Sequence, residues 1–104
     1  MPWIPFPRRA GRWHRRLVPC VYLLRCSDRS IYVGWTSDLT TRLAQHQAGK
    51  ASKHTAARRP VVLIFQEQHV TSESAIARER QIKRWSRRKK EALADGNLEL
   101  LKQL

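Results

Sequence analysis

Two short apolar segments joined by a turn signal form the first regular pattern in the chain. Residues 18–26 read VPCVYLLRC, and residues 31–35 read IYVGW after the polar stretch SDRS at 27–30. Apolar segments separated by a few turn-forming residues predict an antiparallel β-hairpin. We therefore expect the folded unit to begin near Leu17 with this hairpin.

The second strand of the hairpin alternates in an unusual way. Ile31, Val33 and Trp35 form one apolar face, whereas Tyr32 and Gly34 occupy the other. The strand gives these positions to a phenol and to a residue without a side chain. We interpret the first face as part of the core.

Helix and strand patterns alternate along the rest of the chain. Thr36, Ser37 and Asp38 are candidate N-caps for a helix from about residue 39 to 48, with Gly49 as its stop. The later predicted elements are a basic loop at 50–60, a third strand at 61–68, a helix capped by Ser72 that runs to about 84, a helix from Ser86 to near Gly96, and a short helix at 98–104. The order ββαβα with extra C-terminal helices predicts an α/β (α+β) domain whose small, three-stranded, mostly antiparallel sheet is flanked by helices.

Residues 1–16 differ in composition from the rest of the chain. They contain three Pro, five Arg and no acidic residue. We expect a basic, mobile N-terminal arm ahead of a single domain at 17–104. The arm either adds non-specific phosphate contacts or has no role of its own.

The charge balance indicates a polyanionic partner. The 104 residues carry 21 Lys plus Arg against 8 Asp plus Glu, a formal net charge of +13. Nucleic acid is the first candidate, and an anionic membrane surface is the other. A generally basic protein, such as a ribosome-associated one, has the same composition. Neither a spanning helix nor the apolar core of a secretory signal is evident, so we expect no membrane association.

The two cysteines predict no disulfide. Cys20 and Cys26 are expected on one strand, where a rise of about 3.3 Å per residue puts them roughly 20 Å apart. That separation is too long for a disulfide. We expect buried free thiols in a reducing compartment, and therefore a cytoplasmic protein.

Two polar side chains share the apolar face of the first helix. Leu39, Arg42, Leu43 and His46 follow the spacing i, i+3, i+4 and i+7. The leucines must point inward, so Arg42 and His46 are carried toward the body of the domain. The alternative is a snorkelling arginine with a histidine at the rim of the apolar stripe.

A carboxylate interrupts the apolar stripe of the second long helix. Glu79 lies between Ala75 and Ile82 on one face. Burial of a carboxylate is costly without a cation, a strong hydrogen bond or a raised pKa. A structural ion pair with Lys83 or with Arg42 is the alternative to a functional role.

Tyr22 and Tyr32 lie ten residues apart across the predicted hairpin. They point to one side of the sheet if opposed residue numbers add to an even sum, as when Tyr22 lies opposite Gly34. The sequence leaves this register open. With Arg42, His46 and Glu79 they supply what phosphodiester hydrolysis needs: a phenol or imidazole base, a guanidinium for phosphate charge, and a carboxylate for one Mg²⁺.

The chain resembles the GIY-YIG nuclease domain, and more narrowly the small bacterial proteins of the UPF0213 group. The resemblance covers roughly residues 19 to 94. The segments that carry it are CVY at 20–22, YVG at 32–34, DLTTRLAQH at 38–46 and SAIARERQIKRWSRRKKEAL at 74–93.

The resemblance implies a Mg²⁺- or Mn²⁺-dependent endonuclease that uses one metal ion. Tyr22 and Tyr32 would be the paired tyrosines and share the general-base role, because family members differ over which phenol is the base. Arg42 would contact the scissile phosphate, His46 would occupy a position held by His or Tyr, and Glu79 would bind the metal. Gly34 would leave space for a phosphate beside Tyr32.

Three positions depart from the family pattern. Cys20 replaces the glycine of the first triplet, and Trp35 stands where some relatives carry a basic residue. The asparagine that several branches place after the metal-binding helix has no clear match, since Asn97 lies too far along the chain. The missing asparagine is the most consequential departure, because it leaves the metal site without a side chain that supports it in several branches of the family.

Two basic segments are expected to flank the site and neutralise phosphates. Their candidate nucleic-acid-binding residues are Lys50, Lys53, Arg58 and Arg59 in the first, and Lys83, Arg84, Arg87, Arg88, Lys89 and Lys90 in the second. Trp35 and Trp85 would stack on exposed bases or else pack in the core.

Because no base-reading motif is evident, we expect no sequence-specific cleavage. The resemblance implies single-stranded or branched DNA as the partner, with RNA possible, because short domains of this family often need an added domain to bind duplex DNA tightly. We expect a monomeric protein. The rivals are a non-catalytic nucleic-acid-binding protein on the same scaffold and a basic, structural RNA-associated protein.

Overall fold

Three strands and five helices make up residues 17–104, the part of the chain that this computed structural model describes. The predicted N-terminal arm at 1–16 lies outside the described residues. The elements, in chain order, are β1 Cys20–Arg25, β2 Ile31–Thr36, α1 Leu39–Gln47, α2 Lys53–Ala56, β3 Val62–Gln68, α3 Ser72–Lys83, α4 Arg87–Asp95 and α5 Leu98–Gln103. No helix among them is long and apolar enough to cross a membrane.

The sheet confirms the predicted α+β architecture. Its strand order is β2-β1-β3, and β1 pairs antiparallel with both neighbours. Tyr22 lies opposite Gly34, and Leu24 lies opposite Tyr32. The opposed numbers add to an even sum, so both tyrosines point to the same face of the sheet.

Helices cover both faces of β1, which explains its nearly continuous apolar sequence. On one face Val21 and Leu23 pack against Ala75 and Ile82 of α3, with Leu93 of α4 in the same cluster. Ile31, Val33 and Trp35 belong to this cluster, as predicted. The helices α3 and α4 therefore lie on the face away from the tyrosines.

The second face packs against α1. Tyr22 and Leu24 are fully buried there, with Tyr32, Leu39 and Leu43 partly buried around them. The alternation of β1 thus separates the two cores, and the tyrosines belong to the α1 side. Both cysteines are free and buried on this scaffold, as expected.

The helix boundaries follow the capping residues. Asp38 caps α1 by accepting from the amide of Thr41, and Ser86 caps α4. Gly96 ends α4 with a φ of 70°, a left-handed conformation that favours glycine. The prediction that Ser72 caps α3 is wrong, because the Thr71 hydroxyl accepts from the third helical amide instead.

The predicted loop at 50–60 contains the short helix α2. The side chain of Ser52 accepts a hydrogen bond from the amide of Thr55 at 3.1 Å and so starts a single helical turn. Four residues are too few to show helical periodicity, so the sequence pattern did not indicate this element. The turn buries Thr55 completely.

Gly34 provides space, but for a protein side chain. A Cβ atom at this position would lie 2.6 Å from both the Cζ and the hydroxyl oxygen of Tyr22. The Tyr22 ring, directly across the strand pair, occupies the space that we expected a phosphate to use. The glycine is therefore needed because the phenol lies over it.

Gly34→Ala is expected to destabilise the protein by about 1–3 kcal/mol, the usual cost of overpacking. Urea unfolding measures the loss. In a Tyr22→Ala background the added methyl group meets no ring, so the same change should cost much less. Additive effects in this double-mutant cycle would contradict the packing explanation.

Candidate active site

The two tyrosines form the centre of the candidate site. Their ring centroids are 6.4 Å apart and the ring planes are inclined by 41°. Tyr22 is completely buried, whereas Tyr32 is half-buried. Tyr32 is thus the phenol that solvent reaches.

His46 of α1 meets both phenols. Its Nε2 atom lies 2.8 Å from the Tyr22 hydroxyl, and its ring stands edge-on to Tyr32 with centroids 5.1 Å apart. The imidazole is fully buried, so the alternative that placed it at the rim of the apolar stripe of the helix is wrong. Its other nitrogen, Nδ1, is 2.8 Å from the hydroxyl of Thr55.

Donor and acceptor matching assigns the protons along this chain of groups. The Arg42 guanidinium beside the Tyr22 hydroxyl offers only donors, so the hydroxyl proton points toward His46 Nε2. His46 Nδ1–H then donates to Thr55. The Thr55 hydroxyl has an oxygen of Ser52 at 2.8 Å to accept its own proton. The neutral imidazole therefore has Nε2 free to accept the Tyr22 proton.

Burial controls the titration of this pair. Burial raises the pKa of Tyr22, the nearby Tyr32 adds to the rise, and the Arg42 charge opposes it. Burial also lowers the pKa of His46, and Arg42 lowers it further. Both groups are therefore neutral near pH 7, and both shifts oppose transfer of the Tyr22 proton to His46 while the Tyr22 oxygen receives no other proton.

Glu79 belongs to α3, which packs on the other face of the sheet and contacts β2, the strand of Tyr32. Its carboxylate is 3.2 Å from Lys83 Nζ, which is the i, i+4 pair that the sequence left open. The Glu79 side chain is 13% exposed and that of Lys83 is 53% exposed. Within residues 17–104 it makes no hydrogen bond or ion pair to Arg42, so the structure joins four of the five predicted residues.

The donor set around Glu79 fits a weakly held ion rather than a closed metal centre. Residues 17–104 contain no group of three or more His, Cys, Asp or Glu side chains placed to hold a metal. One carboxylate with water and substrate oxygens is a common arrangement for Mg²⁺. Asn97 does not supply the missing asparagine, because its side chain caps α5 through the amide of Leu100.

A second histidine, which the sequence analysis missed, lies on Tyr32. The His54 ring stacks on the phenol at 6.1 Å and 26°, and its Nε2 is 3.0 Å from the Ser30 hydroxyl. Ser30 in turn donates to Asp28 at 2.6 Å, and this bond is the largest of the contacts, with the Ser30 amide and Arg58, that lower the pKa of Asp28 to about 2. Because the ionised carboxylate takes the Ser30 proton, His54 must donate through Nε2. Ser30 in the β1–β2 turn and His54 in α2 are 24 residues apart, so no sequence pattern indicated their contact.

Half of the predicted nucleic-acid-binding cations contact other protein groups. Those with such contacts are Arg58 with Asp28, Arg59 with the carbonyls of Gln47 and Ala56, Lys83 with Glu79, Arg87 with Glu91, and Lys89 over the ring of Trp85. Those whose side chains make no hydrogen bond or ion pair to residues 17–104 are Lys50, Lys53, Arg84, Arg88 and Lys90. Trp35 and Trp85 pack against the α3-side core, which favours the packing interpretation of both.

Comparison with known proteins gives consistent matches. The model of the GIY-YIG catalytic domain family matches residues 18–92. A UPF0213 protein of Staphylococcus haemolyticus is 46% identical over 70 residues, which are 67% of this chain and 85% of that protein. A UPF0213 protein of Bacillus pumilus is also 46% identical over 70 residues, covering 67% of this chain and 71% of the relative.

A solved structure is similar as well. The solution NMR structure of a UPF0213 protein from Bacillus halodurans is 39% identical, with a TM-score of 0.50. The match covers 74% of this chain and 82% of that one.

Stability should fall below about pH 6.5, the ordinary histidine pKa. Because the folded state holds the pKa of His46 below that value, the unfolded chain binds the proton first. The contribution is complete above pH 6.5 and is lost as the pH falls toward the folded-state pKa, by at most about 1.4 kcal/mol per pH unit. Urea unfolding between neutral and mildly acidic pH measures the slope.

His46→Gln removes this titration and should flatten the slope, whereas the control His69→Gln should keep it. The carboxyls of Asp28 and Glu91, whose pKa values are lowered, lose their contributions only at more acidic pH. An unchanged slope in His46→Gln would contradict the assignment.

Thr55→Val is nearly isosteric and removes the acceptor of His46 Nδ1–H. A buried donor left without a partner costs about 1–3 kcal/mol. We expect that loss in urea unfolding, together with a changed imidazole tautomer in the ¹⁵N chemical shifts of His46. The control Thr55→Ser keeps the hydroxyl and should retain the wild-type shifts. Wild-type shifts in the valine variant would refute the assignment of Thr55 as the acceptor of His46 Nδ1–H.

Proposed function

Because the chain belongs to the GIY-YIG domain family, and within it to the UPF0213 group, we propose that it is a metal-dependent endonuclease that hydrolyses DNA phosphodiester bonds. The observation that supports this most directly is the buried Tyr22–His46 hydrogen bond with Arg42 beside the same hydroxyl. A polar group this deep must be compensated, and an apolar pair would fill the space without that requirement. The buried tyrosine, histidine and arginine are therefore better suited to proton transfer beside a phosphate than to packing alone.

In the proposed reaction, Arg42 binds the scissile phosphate and stabilises the negative charge that develops on it. The reaction requires the attacking water to approach the buried Tyr22 oxygen from the side of Tyr32, the phenol that solvent reaches. The water gives its proton to the Tyr22 oxygen as the Tyr22 proton moves to His46 Nε2, so Tyr22 stays neutral throughout. The water oxygen forms the new bond to phosphorus as the bond to the leaving oxygen breaks. The leaving oxygen takes its proton from solvent, and the His46 imidazolium returns its extra proton to solvent. Thr55 keeps the imidazole in the tautomer that accepts.

The remaining roles are assigned to Tyr32 and Glu79. Tyr32, the more exposed phenol, borders the substrate and hydrogen-bonds to the attacking water as the second member of the tyrosine pair. Glu79 is the residue that would hold Mg²⁺ or Mn²⁺, whose charge supplies further neutralisation of the phosphate when the ion is bound. Lys83 contacts Oε2 of Glu79, so the ion would bind through Oε1 or displace Lys83.

The proposed substrate is single-stranded or branched DNA, in the cytoplasm. No element of residues 17–104 presents a row of side chains suited to reading base edges, and the excess charge favours phosphate contacts. A non-catalytic nucleic-acid-binding protein, with DNA or RNA as partner, is the second candidate. The occupied Glu79 carboxylate and the absence of a three-ligand group in the described residues favour it.

Labelled single-stranded, duplex and flapped DNA, incubated with Mg²⁺, Mn²⁺ or EDTA, separates the two candidates. We expect metal-dependent cutting that Glu79→Gln abolishes while DNA binding persists. Glu73→Gln, a matched change on the exposed first turn of α3, should leave cutting intact. Cutting that survives Glu79→Gln would overturn the role of Glu79, and binding without cutting under every metal would favour the second candidate.

A further inference from the structure

The turn between β1 and β2 has a residue that does not suit its backbone. The amide of Cys26 donates to the Ser30 carbonyl and the amide of Arg29 donates to the Cys26 carbonyl, both at 2.9 Å. Such three-residue hairpin loops place their last residue in the left-handed region, where Gly or Asn is favoured. Arg29 occupies it with a φ of 71°, alone among the non-glycine residues of 17–104. An arginine in this conformation strains the backbone, and such strain is typical of residues whose side chain has a function.

Both layers of the domain hold this turn. From the α1 side, Arg58 pairs with Asp28 at 2.8 Å and His54 bonds to Ser30. From the other side, Arg87 of α4 donates to the Arg29 carbonyl at 2.7 Å. The two basic segments of the sequence, which lie on opposite faces of the sheet, therefore meet at this turn.

The turn carries an excess of positive charge. Arg25, Arg58 and Arg87 share the carboxylates of Asp28 and Glu91, and all three make ion pairs with them. The side chain of Arg29 is exposed and makes no hydrogen bond or ion pair with residues 17–104. Its guanidinium is thus the group at the turn that is available to an external anion.

The turn is also directly connected to the candidate active site. Ser30 holds His54, and His54 stacks on Tyr32 at 6.1 Å. Tyr32 follows Arg29 by three positions, which corresponds to at most about 10 Å of extended chain. A polyanion bound at Arg29 therefore lies within reach of the exposed phenol.

We propose that Arg29 is a phosphate contact and that the β1–β2 turn, held in place by Arg58 and Arg87, seats the backbone of single-stranded DNA beside Tyr32. An available guanidinium next to the aromatic pair Tyr32–His54 suits a strand whose phosphates and bases are both accessible. The inference rests on the proposed function for its partner, DNA, but concerns binding and not cleavage.

Arg29→Asn tests the proposal, because asparagine tolerates the left-handed conformation and carries no charge. We expect a Tm equal to or above that of the wild type, together with a several-fold loss of affinity for a fluorescein-labelled single-stranded oligonucleotide, measured by anisotropy in EDTA. The slope of log affinity against log salt should decrease in magnitude by about 0.7, the value for one lost contact to a single strand. Arg29→Lys keeps the charge and should retain most of the affinity.

Lys102→Asn on α5 is the control with the same change in net charge. Equal affinities and salt slopes for Arg29→Asn and Lys102→Asn would overturn the proposal and leave the proposed function standing. A lowered Tm in Arg29→Asn alongside weaker binding would make Arg29 a structural residue and also overturn it. If the wild-type protein binds no DNA even at low salt, both the proposal and the proposed function fail.

Discussion

The buried hydrogen bond between Tyr22 and His46 is the interaction on which the rest of the site depends. It requires four elements at once: β1 supplies the phenol, Gly34 of β2 leaves room for it, α1 supplies the imidazole, and α2 supplies the hydroxyl of Thr55 that fixes the tautomer. Burying these polar groups is favourable only when each has a partner. In residues 17–104 no buried side-chain nitrogen or oxygen lacks one. The hydrogen bonds within the site therefore offset the cost of burying its polar groups. Any substitution that removes one member leaves another buried polar group without a partner.

The β1–β2 turn connects this site to the rest of the molecule. It is the place where the loop after α2 and the start of α4 both bind, although these segments pack on opposite faces of the sheet. The left-handed Arg29 is kept in place by these contacts. Since Ser30 also orients His54, a ligand at the turn would be positioned relative to Tyr32 by rigid neighbours rather than by a mobile loop.

Most of the fold was predictable because its signals are local. Alternation identified the strands, apolar spacing identified the long helices, and Asp38, Ser86 and Gly96 act as the caps and stop that their side chains suggest. Two predictions that failed also concern local features, the N-cap of α3 and the loop that contains α2. Thr71 and Ser72 are both good caps, and the backbone conformation decides between them. The helix α2 is a single turn, too short for any periodicity.

The sequence by itself determined which chemical groups are available: paired phenols, a guanidinium and an imidazole on one helix face, and a carboxylate in an apolar stripe. Tertiary structure decided which of them meet. Strand register, which a shift of one residue would reverse, placed both phenols on the α1 face. Packing buried His46 and brought Thr55 and His54 to the site on the short helix α2. These contacts join residues far apart in the chain, so their geometry depends on how whole elements pack, and no local pattern encodes it.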